Sequence, residues 1–425
     1  MGNILLKNII CEGFPKDIYI EGDKISRILP AGTESDLKLW HEASGIEVVE
    51  CAGMAAVPGL VNMHTHAAMT MMRGVGEDIP FPEWIDRIWN VEEKIDDEYV
   101  YWGTKVACLE MIKTGTTAFN DQYWHVPAAQ KAAAEMGMRS VHSYVILDKN
   151  DPETACRQKA ECEKIYEMSR FWPKNSSFAV AFHAVYSVST EMMLWASEFA
   201  RSNGLKLHIH LSETQKEVDD CIRKWGKSPV ALLDELGILG PEVIAAHTLW
   251  LSDEDIEILG KRGVTCVHNI NSNLKLSSGY KFKYNELKSA GANICIGTDG
   301  CASSNNLDLL EAMKTSAIVQ KAWRNDPAAL PLDELMAAAT ANGAKALGID
   351  SGRLEEGSLA DILIVDTDNT FFLSNAPFLA NFVYSAHSDC IVSSICGGRF
   401  LMRNRKVAGE KEILASARRV LAKLP

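Results

Sequence analysis

From about residue 57 to about residue 350, short apolar runs alternate with longer stretches whose apolar residues recur at helical spacing. This alternation restricts the fold more than any other feature of the chain. The spacing predicts strands at Ala56–Met63, Thr116–Asn120, Ser140–Val145, Ser177–Phe182, Lys206–His210, Val243–Ala246, Val264–Val267 and Asn293–Gly297. Helices are predicted between them at Asp97–Thr114, Val126–Met136, Pro152–Ser169, Thr190–Ser202, Gln215–Leu236, Asp253–Arg262 and Phe282–Ser289. Strands alternating with helices make parallel sheets, because parallel neighbours need a crossover long enough to hold a helix. Eight such units predict an α/β fold, a (β/α)8 TIM barrel. An open doubly wound sheet is the competing arrangement, but no Gly-rich dinucleotide loop follows the first strand.

The flanks have another rhythm. Residues 1–55 carry short strand-like runs such as Asp17–Ile20 and Ile25–Leu29, broken by Gly and Asp, and a similar run resumes at Ala360–Asp366. This predicts a small β-sandwich-like domain built from both chain ends, residues 1–56 plus 353–425, beside a barrel of residues 57–352. A last helix is expected at Glu410–Leu424, packed on that domain.

With 425 residues, 47% of them hydrophobic and 23% charged, the chain can bury a large core. A net charge of −13 argues against a nucleic-acid partner, since phosphate backbones call for clustered Lys and Arg, and favours a small-molecule substrate. No apolar run reaches the roughly 20 residues of a membrane span. The start shows no secretory pattern, and Leu6 stands where a myristoylation motif after Gly2 needs Ser or Thr. Eleven cysteines without CxxC pairs predict reduced thiols and a cytoplasmic location, with Cys295 and Cys301 as core or loop residues.

The chemistry gathers at the predicted strand ends, where barrels of this kind carry their active sites. The first apolar run closes on His64-Thr65-His66, and residues i and i+2 of a strand share a face, so the two imidazoles can serve one metal ion. Later strands end in His183, His210, His247, His268 and Asp299. His64, His66, His210 and Asp299 make a donor set suited to a zinc-like divalent ion that keeps a position for water. His208 shares a strand face with His210. We assign the ligand to His210, nearer the mouth, because Glu213 can then reach over the metal, and His208 to the barrel interior. Asp299 is expected to ligate and to accept a proton, whereas alone it would read as a turn or helix cap.

These motifs, in order, carry a family resemblance. PGLVNMHTH at 58–66, HIHLSE at 208–213, AAHT at 245–248, HNINSNLKLSSG at 268–279, GTDGCASSNNLD at 297–308 and SGRLEEGSLADILIVD at 351–366 together resemble the amidohydrolase superfamily. Within it the chain is similar to the deaminases acting on 5′-methylthioadenosine and S-adenosylhomocysteine.

The resemblance implies hydrolytic deamination of a 6-aminopurine nucleoside, with one divalent metal, zinc by preference and manganese or iron as alternatives. It implies Asp299 and His247 as acceptors of the water proton and Glu213 as the acid–base group that serves the ring nitrogen and the leaving ammonia. Ala181-Phe182-His183 stands where binuclear relatives carry a lysine, which favours a single metal. Glu92, after Trp89-Asn90-Val91, matches a ribose ligand, and His183 a histidine that reaches the sugar. The bland reading of Glu92 is a solvated carboxylate at a helix start beside Glu93.

Some members bind the homocysteine carboxylate with arginines after the third strand, and Ser140–Val145 supplies none, which leaves methylthioadenosine and adenosine open. Arg73 can serve structure. His268 lines the pocket or fixes loop 269–273, and His41, His125, His142 and His387 read as surface or core residues. A hydrolase or deaminase of another heterocycle (a guanine-type base, pterin, cytosine or triazine) would share the metal site but not the ribose contact. Homo-oligomerisation through barrel helices is common in such folds, and nothing in the sequence fixes it.

Overall fold

The computed structural model describes residues 2–33 and 45–423. Its first five strands are β1 (Asn3–Cys11), β2 (Phe14–Glu21), β3 (Lys24–Pro30), β4 (Ile46–Glu50) and β5 (Met54–Pro58). Eight barrel strands follow: β6 (Leu60–Thr65), β7 (Thr116–Tyr123), β8 (Arg139–Ile146), β9 (Ser176–Phe182), β10 (Leu207–Leu211), β11 (Val243–His247), β12 (Thr265–His268) and β13 (Asn293–Ile296). The chain returns with β14 (Ile362–Asp366), β15 (Ile391–Cys396), β16 (Arg399–Arg403) and β17 (Lys406–Val407).

β6 to β13 pair in sequence order, each parallel to the next, with helices over their outer faces. The seam between β13 and β6 is bridged where Asp299 N donates to the His64 carbonyl (3.0 Å) and the Asn62 side chain exchanges two hydrogen bonds with Thr298. The expected barrel is present.

Both chain ends meet in one sheet, ordered β17-β16-β15-β14-β5-β1-β2-β3, with β4 on β1. A dry core of Leu6, Ile9, Ile18, Ile20, Ile25, Ile362 and Ile395 lies beneath it. The expected strand Ala56–Met63 is two strands on two sheets. β5 pairs antiparallel with β14 in the sheet of chain ends, and after Gly59 the chain enters the barrel as β6. Gly59 N donates to the Asp361 carbonyl, and a Cβ at Gly59 would lie 2.1 Å from Thr117 Oγ1, so the bend between the sheets has no room for a side chain.

Most predicted helices appear with their caps. Asp96 accepts from Tyr99 N at the head of Asp97–Thr114, and Gly115 closes it in the left-handed conformation. The expected helix Gln215–Leu236 is two, Gln215–Trp225 and Pro229–Glu235, because left-handed Gly226 ends the first and Ser228 with Pro229 starts the second. Phe282–Ser289 begins only at Tyr284, and the last helix, Glu410–Leu421, packs on the barrel helix Asp97–Thr114 and not on the sheet of chain ends, with Lys113 paired to Glu410. Leu424 and His41 lie outside the described residues. Among the described residues no helix is long and apolar enough to cross a membrane.

Candidate active site

Several barrel strands and the turns just after them bring polar side chains to one end of the barrel. His64, His66 and His210 present ring nitrogens within 4.8 Å of one another, and so do ligand atoms of His64, His247 and Asp299. Asp299 Oδ1 lies 3.2 Å from His64 Nε2 and 3.3 Å from His66 Nε2, and His210 Nε2 is 3.3 Å from His66 Nε2.

The far side of each ring explains which nitrogen faces inward. His66 Nδ1 is 2.7 Å from the Gln122 carbonyl and His210 Nδ1 2.8 Å from the His183 carbonyl. A carbonyl can only accept, so both Nδ1 atoms carry the proton and both Nε2 atoms turn lone pairs into the cluster when the rings are neutral. His64 Nδ1 instead meets His208 Nε2 at 2.9 Å, and His208 reaches on to Asn120. His208 therefore sits beneath His64, inside the barrel. His64 Nε2 is fully buried and faces the cluster, with Asp299 Oδ1 beside it at 3.2 Å.

Lone pairs and one carboxylate converging on a point repel unless positive charge joins them. The protonation equilibria say the same. Burial disfavours charge on His66, yet the Asp299 carboxylate outweighs it and raises its pKa to about 9. Burial would raise Asp299, but the hydrogen bonds of His64 and His66 hold it well below the usual carboxylate range. This donor set fits a divalent cation.

Asp299 is fixed independently. Its Oδ2 accepts from Ser272 Oγ (2.6 Å) and Ser303 Oγ (2.9 Å), its Oδ1 from Gly300 N (2.9 Å), and its backbone is left-handed, φ 61°. Two residues earlier, a Cβ at Gly297 would lie 2.4 Å from Asn269 Oδ1 and 2.9 Å from His64 Cβ, so only glycine lets the strand end come this close.

Glu213 stands on the loop after β10, its Oε2 3.8 Å from His247 Nε2. Burial, then the negative charges of Asp299 and Glu217, raise its carboxyl well above the ordinary value, the direction that favours its acid form. His247 has its Nδ1 3.0 Å from the Asn273 amide, and burial lowers it to about 3.

The cluster lies at the floor of a cavity whose walls include Trp89, Glu92, His183 and Tyr186. Glu92 sits at the end of its helix, Phe81–Glu92, and not at a helix start. Its Oε1 is buried without a partner, and burial raises its carboxyl to about 7, against the Tyr123 hydroxyl. His183 bonds Ser187 Oγ (2.8 Å) and faces Trp89 across 6.0 Å.

All sequence-predicted site residues thus face one cavity or its floor. The remaining residues lie elsewhere. His268 stacks on Phe282 with ring centroids 4.2 Å apart and is not part of the cavity wall. Arg73 pairs with Glu110, His125 with Asp97, His387 packs on Phe371, His142 is buried against Phe119 and Trp172, and Cys295 and Cys301 are buried. Sequence reading missed Asn273, Ser272, Ser303 and Glu217, which support site residues. Only Glu217 had a local signal, as the fourth residue of Thr214-Gln215-Lys216-Glu217, a capping pattern.

Comparison with known proteins agrees with this architecture. The model of the amidohydrolase family matches residues 55–401. A 5′-deoxyadenosine deaminase of Methanoregula boonei is 43% identical over 99% of this chain and 95% of its own length. A 5-methylthioadenosine/S-adenosylhomocysteine deaminase of Archaeoglobus fulgidus is 40% identical over 97% and 96%. The crystal structure of an adenosine deaminase from Xanthomonas campestris with bound zinc superposes with a TM-score of 0.91 at 30% identity, covering 99% of this chain and 98% of that one. With its ordered motifs, its histidine-lined barrel mouth and relatives matched over nearly their whole length, the chain belongs to the amidohydrolase family.

Proposed function

We propose that the protein is a metal-dependent aminohydrolase that converts a 6-aminopurine nucleoside, with a 5′-deoxy, 5′-methylthio, 5′-homocysteinyl or 5′-hydroxyl group, into its 6-oxo product and ammonia. The observation that carries the reading is the cluster of His64, His66 and His210, with Asp299 Oδ1 3.2 and 3.3 Å from His64 and His66 and with Glu213 and His247 beside it, beneath a cavity that Glu92 borders. The names of its relatives fit this chemistry. His64, His66, His210 and Asp299 would hold one divalent ion, zinc in the first place. Such an ion, when bound, acidifies water at neutral pH.

The remaining work falls to the chain. Asp299 and His247 take the proton of the water that attacks the amino-bearing ring carbon. Glu213, in its acid form, gives a proton to the adjacent ring nitrogen and then helps ammonia depart, so one water is consumed and one ammonia released. Glu92 accepts from the ribose hydroxyls, and His183 reaches the sugar. We also infer a cytoplasmic enzyme, in keeping with eleven free cysteines. Association of copies through the barrel helices belongs to the same reading.

The test is an ultraviolet assay of zinc-loaded protein with 5′-deoxyadenosine, methylthioadenosine, S-adenosylhomocysteine and adenosine. Turnover is expected, reduced about 10²–10⁴-fold in Glu213→Gln. Glu92→Ala should raise KM for nucleosides. No turnover of any nucleoside by metal-loaded protein, or indifference to Glu92→Ala, would sink the nucleoside assignment and point to another heterocycle.

A further inference from the structure

Glu217 is a buried carboxylate that the chemistry above does not use; it lies on the first turn of helix Gln215–Trp225. Thr214 caps that helix, its Oγ1 accepting from Glu217 N at 3.1 Å. A glutamate in this position ordinarily returns to the amide of the capping residue itself. Here it reaches further back: Ser212 N donates to Oε1 (3.0 Å) and Glu213 N to Oε2 (2.8 Å).

Both oxygens are thus spent on the turn that carries Glu213. That turn needs holding, because Ser212 is left-handed, φ 53°, a conformation L-residues rarely adopt. The Ser212 carbonyl accepts in turn from Leu249 N (3.1 Å) and Trp250 N (2.9 Å), and Thr248 N donates to the Leu211 carbonyl (2.9 Å). Through these bonds the Glu213 turn and the His247 turn form one unit, with the two functional side chains facing each other at 3.8 Å. Glu217 is not among the residues lining the metal-cluster cavity; it borders the adjoining cavity, which shares Trp89 and Tyr186 with it, and both its oxygens are engaged by the turn.

We propose that Glu217 is a positioning residue for proton transfer: its carboxylate, clamped on the Ser212 and Glu213 amides, sets the aim of Glu213 and of His247 opposite. The kinetic side of this inference rests on the deaminase reading; the clamp itself does not. Only a carboxylate offers two acceptors and no donor at this point. Glutamine keeps the volume but must turn an amino group toward one of the two N–H donors. A misplacement of about 1 Å at a reacting group can cost about 10²-fold in rate.

The experiment compares Glu217→Gln with Thr214→Ala, which removes the cap of the same helix without touching the clamp. Kinetics, zinc content and hydrogen exchange of the peptide spanning residues 210–215 are measured for each. In Glu217→Gln, kcat should fall about 10–100-fold with KM within about threefold and zinc unchanged, and the Ser212 and Glu213 amides should lose protection. Thr214→Ala should lower the melting temperature and leave kcat alone. A kcat within about twofold of wild type in folded, zinc-loaded Glu217→Gln, or an equal loss in Thr214→Ala, would overturn the proposal. If the wild-type protein deaminates no nucleoside, the functional reading has failed, and the exchange data still decide the clamp: unchanged protection in Glu217→Gln removes it.

Discussion

Two buried aspartates, Asp299 just past the end of β13 and Asp361 just before β14, are satisfied in opposite ways. Asp361, 1% exposed, lies where the sheet of chain ends meets the barrel. It takes two hydrogen bonds from the Arg139 guanidinium (3.1 and 3.2 Å), one from Ser351 Oγ (2.7 Å) and one from Gly397 N (2.7 Å). Asp299, 5% exposed, lies at the barrel mouth among imidazoles, with hydroxyls and one amide behind it. A guanidinium is always charged, so Asp361 is neutralised by the protein alone. Imidazoles carry no fixed charge, so Asp299 still calls for a cation. The fastener Asp361 is closed by permanent donors, whereas Asp299, which we assign to the metal, is surrounded by groups that can also ligate.

Breaking the mouth should have the larger effect on activity. Asp299→Asn keeps the shape but removes the charge that pairs with the cation. It should cost more than the about 100-fold typical of groups that merely support a ligand, and zinc per chain, measured by elemental analysis, should fall in parallel. Full activity with stoichiometric zinc in this variant would contradict the assignment of Asp299.

Breaking the fastener should spare the chemistry and weaken the fold. Arg139→Met leaves Asp361 buried without its counter-charge, which should lower unfolding free energy by about 3–5 kcal/mol in urea titrations. The activity of the molecules still folded should stay near wild type. Arg139→Met combined with Asp361→Leu should recover much of the loss, since the uncompensated charge is then gone.

A smaller effect sharpens the contrast on the imidazole side. His66, 3.3 Å from Asp299, is raised to about 9, whereas His142, 3.9 Å from Asp121, is lowered by burial to about 3. For His142 the folded pKa lies below the unfolded value of about 6.5, so the unfolded chain gains a proton first as pH falls. Its contribution is complete above about pH 6.5 and is lost on acidification toward about pH 3. Between pH 7.5 and pH 5 this share is about 2 kcal/mol. His142→Gln should flatten the pH dependence of the urea midpoint by that amount; an unchanged slope would show that His142 does not stay neutral in the fold.

Features governed by neighbours a few residues apart were legible in the amino-acid order. Helix Asp97–Thr114 has its capping Asp96 and closing Gly115 within one turn of its ends, and His64 and His66 share a face because strands repeat every two residues. The break at Gly226-Lys227-Ser228-Pro229 was equally local, and the apolar pattern running through it masked it. The ordered motifs pointed to strand ends whose side chains gather at the barrel mouth, since each lies at the close of an apolar run.

What tertiary structure alone decided involves partners far apart along the chain. Val57 and Val61 read alike in sequence, yet one belongs to the sheet of chain ends and the other to the barrel, because β14, some three hundred residues later, pairs only with the first. His208 and His210 share a strand face; chain order already put His210 nearer the mouth, and only the tertiary structure shows what His208 meets inside the barrel, His64 Nδ1 at 2.9 Å. The turn-to-turn bonds between Ser212 and Leu249, like the Arg139–Asp361 fastener, appear only on closure of the barrel and its docking to the sheet. Periodicity and capping act over a few residues and can be read along a line. Charge pairing and burial act through space, and their partners are set by which strands the closed barrel brings together.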